Sequence, residues 1–263
     1  MPTRIQTRFH ALKERKRAAL VAYVTAGDPS PERTPEIAAA LERGGADVIE
    51  LGVPFSDPIA DGPVIQAASE RALKAGTTLA KVLDIARRIR EKSEIPLLLF
   101  TYLNPVLHYG LEKLARDAKA AGIDGCLLTD LSVEEADPYV KAMREAGLDT
   151  VFLAAPTSTP ERLKLIARYS TGFVYLVSRT GVTGEQAALS NAAEPLIRSM
   201  RAVTDLPLAL GFGISSPEQA SAVAKMADGV VVGSAFVRMI EKGSGDAAIE
   251  AFARSLRQGM DQN

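Results

Sequence analysis

The segment PLLLFTYLNPVLHYGLEKLARDAKAAGIDGCLLTD, Pro96–Asp130, decides the fold. It begins and ends on short, nearly continuous apolar runs, Pro96–Tyr102 and Gly125–Asp130. Such runs mark strands buried on both faces. Between them Leu111, Leu114, Ala115 and Ala118 recur at i, i+3, i+4 and i+7, one apolar face of a helix. Strand, helix, strand is therefore the unit, and a parallel strand pair with a helical crossover is what it builds.

The same rhythm extends in both directions. Strands are expected at Ala19–Thr25, Asp47–Val53, Pro96–Tyr102, Gly125–Asp130, Thr150–Ala154, Phe173–Ser178, Pro207–Gly211 and Gly229–Gly233. Start signals for the helices agree: Ser132 with Glu135 and Ser216 with Gln219 read as capping boxes, and Pro160 and Pro217 stand at first-turn positions. Extra helices are expected before the first strand and after the second, where Gly62–Ala75 and Leu79–Lys92 share one connection. Asp246–Gln258 reads as a last helix. No composition break or linker interrupts the series, so residues 1–263 read as one domain. An open doubly wound sheet is the competing layout. Eight βα units in this length are the rhythm of a (β/α)8 TIM barrel, an α/β fold.

Composition narrows the function. Lys plus Arg number 31 and Asp plus Glu 32, a net charge of −1, which speaks against nucleic acid or an anionic membrane as the main partner. The single cysteine, Cys126, has no disulfide partner and no metal-spaced companion, and reads as a small core residue. The opening residues lack the pattern of a signal peptide, and no run approaches the ~20 apolar residues of a membrane span. A cytoplasmic protein is expected. The two histidines, His10 in an amphipathic opening segment and His108 in a loop after Asn104-Pro105, have no nucleophile or second ligand at a telling spacing. No metal site is expected, and acid–base work falls to carboxylates.

In a barrel of this kind the site lies at the C-terminal ends of the strands. Two connections there are long: Val53–Pro63 after the second strand and Arg179–Asn191 after the sixth. Loops of this length are more often functional lids than idle connectors. Glu50, inside the second strand, is a carboxylate among apolar neighbours, where desolvation raises a pKa toward acid–base use. Asp61 in the following loop reads either as its working partner or as the N-cap of the next helix. Gly181 and Gly184, Gly211-Phe212-Gly213 and Gly233-Ser234 cluster on the opposite side, in the loops that cradle phosphate in this fold. A phosphate-bearing small molecule is the expected substrate.

Four segments carry a resemblance. ADVIELGVPFSDPIADGPVIQ (Ala46–Gln66), YLVSRTGVTG (Tyr175–Gly184), GFGIS (Gly211–Ser215) and VVGSA (Val231–Ala235), with AYVTAGDP at Ala22–Pro29, resemble the tryptophan synthase alpha subunit family, from about Leu12 to the last helix. The resemblance implies a lyase of tryptophan biosynthesis that cleaves indole-3-glycerol phosphate to indole and glyceraldehyde 3-phosphate. It implies Glu50 as the acid–base group at indole C3 and the glycerol hydroxyl, and Asp61 as acceptor of the indole N–H. It implies Tyr23, Phe100, Leu127, Leu153, Tyr175 and Phe212 around the indole, with Thr183 touching Asp61 when a lid closes. Gly184, Gly213, Gly233 and Ser234 would hold phosphate. Phe100 and Thr129 depart from the aliphatic and small or proline residues expected at those places. No cofactor is expected in this chain. Pyridoxal phosphate is expected in a partner beta subunit, in an alpha2-beta2 heterotetramer, docked on Asp57, Pro58, Asn104 and Pro105.

Three other readings remain open at this point. A free-standing indole-glycerol-phosphate lyase would release indole without a beta subunit. A sugar-phosphate isomerase or epimerase would not need the SDPIADGP segment. A catalytically dead activator would not need Glu50, Asp61, Tyr175 and Thr183 together.

Overall fold

The computed structural model describes residues 1–177, 186–211 and 213–262, and the side chains of all of these except 186–192. The strands are β1 (Ala19–Thr25), β2 (Val48–Gly52), β3 (Leu97–Thr101), β4 (Gly125–Leu128), β5 (Asp149–Val151), β6 (Leu153–Ala154), β7 (Val174–Val177), β8 (Leu208–Gly211) and β9 (Gly229–Val232). All pair in parallel, in the order β5-β4-β3-β2-β1-β9-β8-β7-β6. β5 and β6 are one stave broken at Phe152, whose carbonyl still accepts from Tyr175 N at 3.1 Å. The sheet therefore returns on itself, and the eight expected strands form a (β/α)8 barrel.

Alternation across the staves separates two cores. Leu20, Ala22 and Val24, Ile49 and Leu51, and Leu97 and Leu99 face outward into the main core beneath the helices. Ala19, Val21, Val48, Leu98, Leu127, Val151, Ala209 and Val231 face inward and fill the barrel. Burial on both sides is why these strands read as unbroken apolar runs. Helix α1 (Arg4–Glu14) closes the lower end, inserting Ile5, Phe9 and Leu12, with Phe9 packed on Phe173 at 5.3 Å. At the same end Asp47, Asp124 and Asp228, each just ahead of a strand, accept the Leu20, Leu97 and Leu208 amides of the preceding strand. These carboxylates recover hydrogen bonds for strand ends that have no partner there.

The helical layer has twelve α-helices among the described residues. The second connection holds α3 (Pro63–Lys74) and α4 (Leu79–Arg90), as expected. Three sequence readings are corrected. Asn104, Pro105 and His108 lie in a helix, α5 (Leu103–Tyr109), not a loop. Pro105 is tolerated because it falls in the first turn, where no intrahelical donor is lost. Ser132 does not cap a helix: Val133–Glu135 is a single 3-10 turn, and the hydroxyl bonds Glu134 instead. Residues 186–191, read as the end of a loop, are helical in α9 (Gln186–Arg201). Ser216 does cap α10 (Pro217–Ala224), its hydroxyl accepting from Gln219 N at 3.3 Å. Helices α11 (Ser234–Glu241) and α12 (Asp246–Asp261) complete the ring.

Candidate active site

A cavity of about 390 Å³ opens at the C-terminal ends of the strands. Tyr23, Phe100, Leu153 and Tyr175 point into it from β1, β3, β6 and β7, the top inward layer of the barrel. The rings of Tyr23 and Phe100 meet edge to face at 5.2 Å. Gly52 and Gly211 make room for the tyrosines: a Cβ at Gly52 would lie 2.2 Å from the Tyr23 hydroxyl, and one at Gly211 would lie 2.6 Å from that of Tyr175. Leu127 is fully buried in the interior core below this layer and is not on the cavity surface. Thr183, Gly184 and Phe212 lie outside the described residues.

Glu50 is an inward residue of β2, two places above Val48, in register with Tyr23 on β1 and Leu98 on β3. It is 0% exposed, and neither carboxyl oxygen has a hydrogen-bond partner. Burial alone pushes its pKa up to about 8. The carboxyl lies behind the cavity wall, facing Tyr23 and Tyr175, whose own pKa values are raised by burial and then by this and the neighbouring carboxylate.

Asp61 lines the cavity from the loop after β2. It is not a helix cap: Gly62 occupies that position and no side chain caps α3. Its carboxylate accepts instead from the Tyr102 hydroxyl at 2.9 Å. Desolvation raises its pKa to about 6, with the Tyr102 bond pulling the other way. The loop is pinned by Gln66, whose amide donates to the Asp61 carbonyl at 2.9 Å, and by Ala60 N donating to the Tyr102 hydroxyl at 3.0 Å.

Across the cavity, Gly213 and Gly233 form part of the lining with Ser234, the first residue of α11. The first amides of a helix have no internal partner, so this end presents donors to the cavity. Gly213 has φ +66° and open space where a Cβ would be, a backbone shape that favours glycine.

Outside the mouth, Asp57 and Asn104 are exposed and Pro58 and Pro105 half-buried. Asn104 and Pro105 line a second groove of about 470 Å³ with Phe55 and His108. Ile59 at 86% and Leu107 at 61% exposure stand on the same rim. Tyr102 was the site residue that sequence reasoning passed over, taken as the end of an apolar strand. Its place at the C-terminal end of that strand, facing the mouth, was the available signal.

Fold and site together define a TIM-barrel protein with two carboxyls of raised pKa at the mouth of its barrel. The profile of the tryptophan synthase alpha chain family matches residues 9–262. The tryptophan synthase alpha chain of Solibacter usitatus is 67% identical over 262 residues, covering 98% of each chain. The crystal structure of the alpha subunit from Legionella pneumophila superposes with a TM-score of 0.93 at 39% identity, covering 100% of both chains. A Mycobacterium tuberculosis tryptophan synthase structure gives 0.92 at 39% identity over 100% of both. The chain belongs to the tryptophan synthase alpha chain family, and is a lyase of tryptophan biosynthesis that cleaves indole-3-glycerol phosphate to indole and glyceraldehyde 3-phosphate.

Proposed function

We propose that Glu50 and Asp61 divide the acid–base work of this cleavage between them. With pKa values pushed to about 8 and about 6, Glu50 is protonated and Asp61 ionised near neutral pH. Environments that drive two carboxyls apart in this way assign their roles. Glu50 delivers its proton to indole C3, and the positive charge that develops on the ring nitrogen is stabilised by the Asp61 carboxylate at the N–H. The resulting carboxylate of Glu50 takes the proton of the hydroxyl on the adjacent carbon as the carbon–carbon bond breaks. Indole and the aldehyde leave, and Glu50 is back in its starting form. To reach the substrate its side chain turns from behind the wall into the cavity. The unpartnered oxygens support this reading, since the turn breaks no hydrogen bond.

Tyr23, Phe100, Leu153 and Tyr175 offer the indole ring an apolar slot, with Phe212 and Thr183 as further contacts by family resemblance and Leu127 as support from below. The α11 amides, with Gly213, Gly233 and Ser234, take the phosphate, joined by Gly184. The domain is residues 1–263, and its site is the cytoplasm. No helix among the described residues is long and apolar enough to cross a membrane.

The chain works with a beta subunit that carries pyridoxal phosphate, in an alpha2-beta2 assembly. Indole leaves through the mouth, so the partner docks on the rim that bears Asp57, Pro58, Asn104 and Pro105. Two of the four exposed large apolar side chains among the described residues, Ile59 and Leu107, stand there, which supports this face over the others.

The observation that carries the reading is the pairing of an unpartnered, fully buried glutamate with a half-buried aspartate at one barrel mouth. Its test is indole release from indole-3-glycerol phosphate by the purified chain and by Asp61→Asn. Loss of the charge that stabilises the ring nitrogen should cost roughly 10²–10³-fold. An aspartate variant as fast as wild type would remove Asp61 from the chemistry.

A further inference from the structure

We infer that Tyr102 is a positioning residue for Asp61, holding its carboxylate at the angle and distance the indole N–H requires. This rests on the reading of Asp61 given above. Tyr102 directly follows β3 and is the N-cap residue of α5, so its backbone is anchored on both sides. Its ring is 2% exposed and stacks on Phe55 at 5.0 Å with the planes inclined by 34°. The hydroxyl donates to Asp61 Oδ2 at 2.9 Å and accepts from Ala60 N at 3.0 Å. One phenol thus holds both the side chain of Asp61 and the backbone just before it.

Nothing else among the described side chains does this. Gln66 grips the Asp61 carbonyl, not its carboxylate, and no other side-chain hydrogen bond to the carboxylate is found among the described residues. The titratable groups facing Asp61 are Tyr102 just past β3, Tyr23 from β1 and Tyr175 from β7, and Glu50 faces the last two from β2. Of these, Tyr102 alone bonds the carboxylate. Thr129, the residue after β4, lies beside the phenol, and its hydroxyl donates to the Thr101 carbonyl at 3.3 Å. A carboxylate on an exposed loop samples many rotamers, and catalysis is lost steeply when a reacting group sits off its geometry.

The test is Tyr102→Phe, which keeps the ring on Phe55 and removes both hydrogen bonds. kcat should fall roughly 10–100-fold, the worth of one hydrogen bond to a charged group, with KM within about twofold. The Tyr102 bond holds the Asp61 pKa down, so its removal moves the acid limb of kcat/KM to higher pH. In an Asp61→Asn background the same substitution should cost less than about threefold, because the residues act as a unit. An unmoved acid limb, or an equal loss in both backgrounds, would make the tyrosine a general support of the loop and overturn the inference. If Asp61→Asn alone were fully active, the reading beneath it would fall instead, and the two failures are told apart by that single variant.

Discussion

Replacing Glu50 by glutamine should break the enzyme and strengthen the fold at the same time. Glutamine has the shape of a protonated glutamate but no proton to shuttle, so turnover should fall by about 10²–10⁴-fold. The gain in stability follows from burial. The folded pKa is raised from 4.5 to about 8. Between those values the unfolded chain is ionised while the folded chain keeps its proton. Stability therefore declines as pH rises through that window. At 1.36 kcal/mol per unit, the full rise amounts to roughly 3–5 kcal/mol by pH 8. Both oxygens lack partners, so the substitution removes this burden without breaking a hydrogen bond. For a chain of this size, each kcal/mol moves Tm by about 2–4 °C, so Glu50→Gln should melt several degrees above wild type at pH 8. The difference should vanish near pH 4.5, where both states bind the proton. Thermal denaturation across pH 4–9, alongside an indole-release assay, reads both arms. A variant less stable than wild type at pH 8 would show that Glu50 is held by partners as a structural ion, and would refute the reasoning.

Two further outcomes test the remaining parts. Gly233→Val places a branched side chain beside Tyr23, at a backbone φ that any residue adopts, where a Cβ makes only ordinary contact at 3.4 Å. It should weaken binding of substrate and inorganic phosphate alike by calorimetry while sparing a dephosphorylated analogue, and equal weakening of all three would reduce the glycine to a turn residue. Asp57→Ala, at an exposed residue outside the cavity lining, should leave basal indole release unchanged and lower both the affinity of a beta subunit and its stimulation of the rate; unaltered titration curves would move the docking face elsewhere.

The strands were legible because both of their faces are buried, and the structure trims most of them by one or two residues at one or both ends. What escaped was local. The break at Phe152 leaves no mark in the run Thr150–Ala154. Helix α5 hid behind Pro105, and the start of α9 behind Ser190-Asn191, residues that read as breakers but are accommodated within helices. The recurring Asp before a strand, at Asp47, Asp124 and Asp228, stood in the sequence, yet its use as an acceptor for a neighbouring strand is a tertiary fact. Within the site, the placement of Glu50 inside the barrel and of Asp61 at its mouth was readable from barrel position. The depth of Leu127 was not, because inward periodicity places a residue on a face but does not say in which layer it lies. Tyr102 was missed for a related reason: an aromatic closing an apolar run looks like core, and its hydroxyl shows its use only when the Asp61 loop folds over it.

The central claim is that one carboxyl enters the reaction protonated and the other ionised. The pH dependence of kcat/KM for indole-3-glycerol phosphate cleavage by the purified chain tests it most directly. Asp61 must lose its proton and Glu50 must keep one, so the profile should be a bell with an acid limb near pH 6 and an alkaline limb near pH 8. Glu50→Gln should lack the alkaline limb in its residual activity, and Asp61→Asn the acid limb. A profile that rises to a plateau through pH 9 would mean that Glu50 acts from its ionised form, and would contradict the account.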